Sequence, residues 1–179
     1  MIKAKKILLL LVAISMMVGC QEEKKQESEA VAETPPVEFP YDISYSSSFA
    51  IGNPAYAQMI VQGSWKDWED NNLDNMKNWV SDSILVMHSD NETVRGLDAM
   101  MARWKAGRAS LKAVKVTVDA VTPIYSKDKK EDWVLVWATE ISTHEDGITD
   151  TTGIMETWRI NKAGKADWLL QFDRKNRKK

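Results

Sequence analysis

The spacing of apolar positions changes character twice along the chain. Residues 7–18 form one apolar run, residues 21–48 show almost no apolar pattern, and regular spacing begins at Asn53. Asn53-Pro54 reads as a helix start: a capping side chain, then proline at the first helical position, where its missing N–H costs nothing. Tyr56, Ile60, Gly63, Ser64 and Trp68 then recur along one side of that helix. Asn71-Asn72 interrupts, and Leu73, Met76, Trp79 and Val80 predict a short second helix. Residues 83–88 read as a strand. Gly96 opens a third helix with Leu97, Met100, Met101 and Trp104 on one face and Gly107 near its end.

The second half alternates with period two. Val114, Val116, Val118 and Ala120 share one face of a strand. Trp133, Leu135, Trp137, Thr139 and Ile141 form the expected inward set of the next, and Ile154, Glu156, Trp158 and Ile160 that of a third. After a hairpin turn at Asn161-Lys-Ala-Gly164, Trp168, Leu170 and Phe172 complete a fourth. Helices first and strands afterwards predict an α+β domain, with N-terminal helices packed on a curved antiparallel sheet.

Composition divides the chain. Lys3, Lys5 and Lys6 precede the apolar run, which is shorter than the ~20 residues needed to span a bilayer and fits the h-region of an export signal. It ends in Met17-Val18-Gly19-Cys20, followed by Gln-Glu-Glu-Lys-Lys-Gln-Glu. A small residue before a cysteine at this point resembles the lipobox of bacterial lipoproteins. The resemblance implies cleavage before Cys20, acylation of its sulfur and new N-terminus, and attachment to a cell-envelope membrane, with the outer membrane expected. Ordinary secretion and an uncleaved anchor are the alternatives. Residues 21–48 are rich in Glu, Ser, Gln and Pro and read as a flexible tether. The expected organisation is therefore a signal peptide (1–19), lipidated Cys20 with its tether (20–50), one domain (51–174) and a basic tail (175–179).

The chain carries 24 basic against 26 acidic side chains, and three lysines and no acid leave with residues 1–19. The mature chain, with 21 basic and 26 acidic groups, is not the strongly basic surface of a nucleic-acid binder. One cysteine excludes an intrachain disulfide, and one cysteine with two histidines excludes the usual zinc clusters. No Gly-rich phosphate loop or G-x-S-x-G motif is present, and no cofactor or metal is expected.

Three stretches carry a wider resemblance: Gly63-Ser-Trp-Lys-Asp-Trp, Trp79-Val-Ser-Asp82-Ser-Ile-Leu-Val-Met-His, and Arg95-Gly96-Leu-Asp-Ala-Met-Met-Ala-Arg-Trp. With the closing hairpin from Met155 to Asp173, their order and spacing over about residues 54–174 resemble the nuclear transport factor 2 (NTF2)-like superfamily and its SnoaL-like members. The resemblance implies a cone with a pocket between helices and sheet, and often a homodimer. Such domains include cyclases, isomerases, hydrolases, dehydratases and plain binding modules, so the fold does not choose an activity.

Chemistry is sought where polar residues interrupt apolar faces. His88 shares parity with Ile84 and Val86, Thr139 lies beside Trp137, and Glu156 lies between Ile154 and Trp158. A buried carboxyl or imidazole needs a partner or loses its charge. His88 and Glu156, if they converge, form a candidate acid–base pair. Each also has a structural reading, as a hydrogen-bonded residue of the fold. Asp173, by strict alternation opposite Trp168, Leu170 and Phe172, is expected to face away. Trp68, Trp104, Trp137 and Trp158 fall on the proposed inward faces. Together with His88, Thr139 and Glu156 they make up the expected pocket for a small apolar ligand. Two readings stay open: a lipid-anchored binding module for such a ligand or a protein partner, and a cofactor-free acid–base enzyme.

Overall fold

The computed structural model describes residues 38–175. The expected export signal, Cys20, most of the expected tether and residues 176–179 lie outside the described residues. A compact unit begins at Tyr41, and within the described residues no helix is long and apolar enough to cross a membrane.

The helical layer begins as expected. Asn53 Oδ1 accepts from the Ala55 N–H and Pro54 occupies the first helical position of α1 (Pro54–Ile60). The helix continues through a π-helical stretch (Val61–Lys66) into α2 (Asp67–Glu69). A 3-10 turn (Leu73–Asn75) then leads into α3 (Met76–Trp79). Gly63 is fixed by close approach: a Cβ there would lie 2.4 Å from the indole of Trp79, which is itself buried. Buried Asp67 ties the corner by accepting from the side-chain amides of Gln62 and Asn72, at 3.3 Å each. Gly96, at φ +88°, turns the chain into α4 (Leu97–Ala109), a conformation that disfavours any side chain. Arg108 near its end is buried and donates to the carbonyls of Trp68, Glu69 and Leu111 (2.8, 3.1 and 3.0 Å), which locks α4 to the end of α2.

Among the described residues seven strands form one sheet, in the order β1-β4-β5-β6-β7-β2-β3. They are β1 (Phe49–Ile51), β2 (Val80–Met87), β3 (Thr93–Arg95), β4 (Leu111–Ser126), β5 (Glu131–His144), β6 (Thr149–Ile160) and β7 (Ala166–Lys175). The sheet is curved and unclosed, with a register break between Val118 and Ala120 in its longest strand. All pairings are antiparallel except β2–β7, which is parallel, because β2 leaves the helices in the direction in which the final strand returns. Apart from this one pair the sheet is antiparallel, as the alternating strands predict.

Two expectations are corrected. The folded unit starts before residue 51: β1 pairs with β4, Ser46 Oγ donates to Asp128, and the Tyr45 hydroxyl donates to Glu131 while its ring meets Trp133 edge-on. The aromatic and hydroxyl side chains of this stretch, read as tether, have partners on the β4–β5 hairpin. The larger correction is parity. On β5, Val134, Val136 and Ala138 are buried under the helices, whereas Trp137 is 37% exposed. On β7 the buried residues are Ala166, before a shift in register, and Leu169 after it, while Phe172 is 56% exposed. Both faces of these strands carry apolar residues, so alternation alone does not say which is inside. The bulky set faces outward, where Trp133 meets Trp168 edge-on, while smaller aliphatic residues fit beneath the helices.

The core between layers holds Ile60, Leu73, Met76, Ile84, Met100 and Trp158, each fully buried. Trp158 sits at its centre, edge-on to Trp79 at 5.4 Å and to Trp104 at 6.3 Å between ring centroids.

Candidate functional site

The inner face of the sheet changes from apolar to polar in rows set by strand register. Val134, Trp158 and Leu169 form one row, with all three side chains fully buried. The next is Val136, Glu156 and Gln171; then Ala138, Ile154 and Asp173; then Glu140 and Thr152; then Ser142 and Asp150. The helices cover the first rows and stand away from the later ones, leaving a cavity of about 580 Å³. Ser64, Trp65 and Trp68 from the first helical segment and Arg103 and Trp104 from α4 form its other wall. That volume lies in the range of small-molecule pockets. The π-helical stretch contributes Ser64 and Trp65 to the cavity, in keeping with the frequent occurrence of such turns at functional sites.

Glu156 lies at the cavity's inner end and is 2% exposed. Its Oε2 accepts from Trp158 Nε1 at 2.8 Å and Ser64 Oγ at 3.3 Å, and its Oε1 accepts from Gln171 Nε2 at 3.0 Å. Desolvation dominates over these three donors and, with the nearby charge of Glu140, pushes the Glu156 carboxyl up to about 7. Near neutral pH the group therefore exists in both protonation states. All three donors are uncharged, and among the described residues no cation forms an ion pair with it.

His88, at the end of β2, is buried and also lines the cavity. Burial, reinforced by the Arg103 guanidinium, holds its pKa below the usual imidazole value, against the pull of the Gln171 side chain, Asp90 and Glu92. The ring is accordingly neutral at pH 7, and among the described residues its Nε2 has no hydrogen-bond partner. Gln171 interacts with both His88 and Glu156, so the two candidates converge on one amide. Arg103 is held at the rim by Asp90 and Glu92, its Nη2 lying 2.6 Å from the Asp90 carboxylate. His144 Nε2 lies 3.0 Å from Asp150. Glu140 accepts from Trp68 Nε1 at 2.7 Å and from Ser142 Oγ, and Asp173 accepts from Ser89 Oγ at 2.7 Å. Among the described residues no three metal-capable side chains converge on one point.

Of the expected pocket residues, Trp68, His88, Trp104 and Glu156 line the cavity. Trp137 and Thr139 do not; both lie on the outer face of β5, where Thr139 Oγ1 donates to Asp119. Trp158 lies beneath the cavity, serving it through its N–H to Glu156 rather than as a lining ring. Asp173, expected to face away, lines the cavity with Gln171, because β7 carries the opposite parity. Trp65, Glu140 and Gln171 were not singled out by the sequence. Glu140 shares parity with Val134, Val136 and Ala138, and this alternative face of β5 was the available signal.

No family model matches the chain, and no curated protein is significantly similar to it. Solved structures do match. A SnoaL-like polyketide cyclase described as putative, from Jannaschia sp. CCS1, aligns with TM-score 0.55 at 14% identity, covering 67% of this chain and 83% of that one. An NTF2-like protein of unknown function from Exiguobacterium sp. 255-15 gives 0.54 at 15%, covering 64% and 97%. A Mycobacterium tuberculosis protein in complex with estradiol-17beta-hemisuccinate gives 0.53 at 17%, covering 65% and 92%. At such identities the likeness establishes the fold, and the fold is the NTF2-like cone.

Proposed function

We propose that this NTF2-like domain is a binding module for a small apolar ligand, carried at the bacterial cell envelope by a lipid on Cys20. The observation that carries the binding reading is the cavity of about 580 Å³ lined by Trp65, Trp68 and Trp104 with Glu156 at its inner end. Flat aromatic walls offer apolar area to a ring-shaped ligand, and the carboxyl offers one specific polar contact in either protonation state. The estradiol derivative held by a neighbour of the same fold supports this reading by analogy. Ile154, half-buried on the cavity wall, provides the test. Ile154→Trp puts an indole into the ligand's space beside Glu156 and is expected to lower the affinity for naphthalene-type ligands at least tenfold in calorimetric titration, with the far-ultraviolet dichroism of the wild type. Unchanged affinity in the folded variant contradicts binding in this cavity.

The anchor is supported by the n-region lysines, the apolar run and Cys20 itself. Acylation at several positions holds a protein to a bilayer far longer than a single chain does. Cys20→Ser is expected to move the protein from the membrane to the soluble fraction and abolish its labelling by palmitate. Retention of both in the variant rules the anchor out.

A second reading has its own support in the Glu156 carboxyl, which sits near neutrality inside a cavity, as a general acid–base group requires. In that reading Glu156 exchanges a proton with a ligand carbon next to a carbonyl, and His88, neutral at pH 7, acts as a hydrogen-bonding partner.

A further inference from the structure

The charges around the cavity do not cancel. On the positive side, Arg103 is already matched by two carboxylates, Asp90 and Glu92, and His88 is held neutral. His144 is matched by Asp150. On the negative side, Glu140 and Asp173 accept only from neutral groups, namely an indole N–H and two hydroxyls. Among the described residues neither forms an ion pair. Glu156, deeper still, is likewise served by neutral donors alone. Three carboxyl groups from β5, β6 and β7 thus face one cavity, and among the described residues no cation pairs with them. An apolar wall beside them strengthens their field, since it excludes the water that would screen it.

The aromatic residues act in the same direction. Trp65, Trp68 and Trp104 present ring surface to the cavity, with Trp68 and Trp104 edge-on at 6.0 Å. Indole is the best of the aromatic side chains at attracting a cation to its face. Trp68 also donates its N–H to Glu140, which places a carboxylate directly at the edge of one of these rings. Aromatic faces combined with unmatched carboxylates favour a positive charge on an apolar body, and disfavour an anion by repulsion.

We propose that the cavity selects a small apolar amine in its protonated form, with its rings among Trp65, Trp68 and Trp104 and its charge matched by Glu140, Asp173 and Glu156. This rests on the cavity being a ligand site and names the chemical class of that ligand. The bound cation favours the ionised form of Glu156, so uptake of the amine near neutral pH releases a proton from that carboxyl to the buffer. The other titratable groups lining the cavity are Glu140 and His144 on β5, Asp150 on β6, Asp173 on β7, His88 on β2 and Arg103 on α4. The amine stays protonated throughout the range, so its affinity rises as pH is raised through neutrality.

The test is calorimetric titration of the full mature chain with three matched probes: naphthalen-2-ylmethylamine, naphthalen-2-ylmethanol and 2-naphthoate. The amine is expected to bind at least about tenfold more tightly than the alcohol, with the carboxylate weakest of the three. Glu140→Gln is expected to lower the amine's affinity more than the alcohol's, and so to reduce the amine's advantage. Asp173→Asn, at an exposed rim position, makes the same test should the first variant fail to fold. If alcohol and amine bind equally, or the alcohol binds better, the amine inference is overturned while the apolar pocket stands. If the amine is preferred but neither variant reduces the preference, its origin in these carboxylates is overturned. If no probe binds, the pocket reading falls together with the inference.

Discussion

Trp158→Ala is expected to destabilise the domain by about 3–5 kcal/mol, the usual cost of deleting a large, fully buried aromatic side chain. Trp158 is 0% exposed and touches Trp79 and Trp104 edge-on, so its removal leaves a void where the helical layer meets the sheet. It also removes the indole N–H, one of the three donors to Glu156 among the described residues. Loss of area and loss of a polar partner therefore add in one substitution. Trp137→Ala is the control, since this outward-facing tryptophan is 37% exposed and its loss is expected to cost far less. Urea denaturation of both variants checks the pair. Equal destabilisation by the two would contradict the strand parity on which the whole site depends.

Glu156→Gln carries the second large effect, and its sign depends on pH. Burial raises the folded-state pKa of Glu156 from the ordinary 4.5 to about 7. Between those values the folded protein binds more protons than the unfolded chain, so stability falls as pH rises through this window. The window corresponds to a loss of about 3 kcal/mol at 1.36 kcal/mol per pKa unit, fully developed above pH 7. Glutamine occupies the same space without a charge, and a rotation of the Gln171 amide supplies the acceptor its new N–H₂ requires. The variant is therefore expected to be more stable than wild type at pH 8 and to show a flatter stability profile from pH 5 to 8. A wild-type profile without the decline would mean that Glu156 is ionised at an ordinary pKa. The same variant separates binding from proton transfer: an acid–base enzyme loses deuterium exchange next to a bound ketone's carbonyl in Glu156→Gln, whereas a binding module shows no such exchange in either protein.

The order of elements was legible because helix starts and hairpin turns rest on local chemistry. Asn53-Pro54 caps a helix and Gly164, at φ +76°, closes the last hairpin without reference to anything distant. Glu156 and His88 were legible for a related reason: each interrupts a face whose neighbours, Ile84, Val86 and Trp158, are apolar and prove to be buried. Strand parity on β5 and β7 was not legible. Leu135 and Trp137 alternate with Val134 and Val136, and a pattern apolar on both faces does not say which one the helices cover. The choice of the bulkier face as inward misplaced Trp137 and Thr139 and concealed Glu140 and Asp173. β1 and β3, at three residues each, are too short to show a period and exist through pairing with β4 and β2.

Ligand entry between the helices and the sheet is read directly from the tryptophan indole N–H signals in nitrogen–proton NMR while naphthalen-2-ylmethanol is added. Ligand entering the cavity is predicted to shift the signals of Trp65, Trp68 and Trp104 saturably, and that of Trp158 through its bond to Glu156, leaving Trp133 and Trp137 on the outer face unmoved. Saturable shifts confined to Trp133 and Trp137, or none at any tryptophan, would contradict a ligand site between the helices and the sheet.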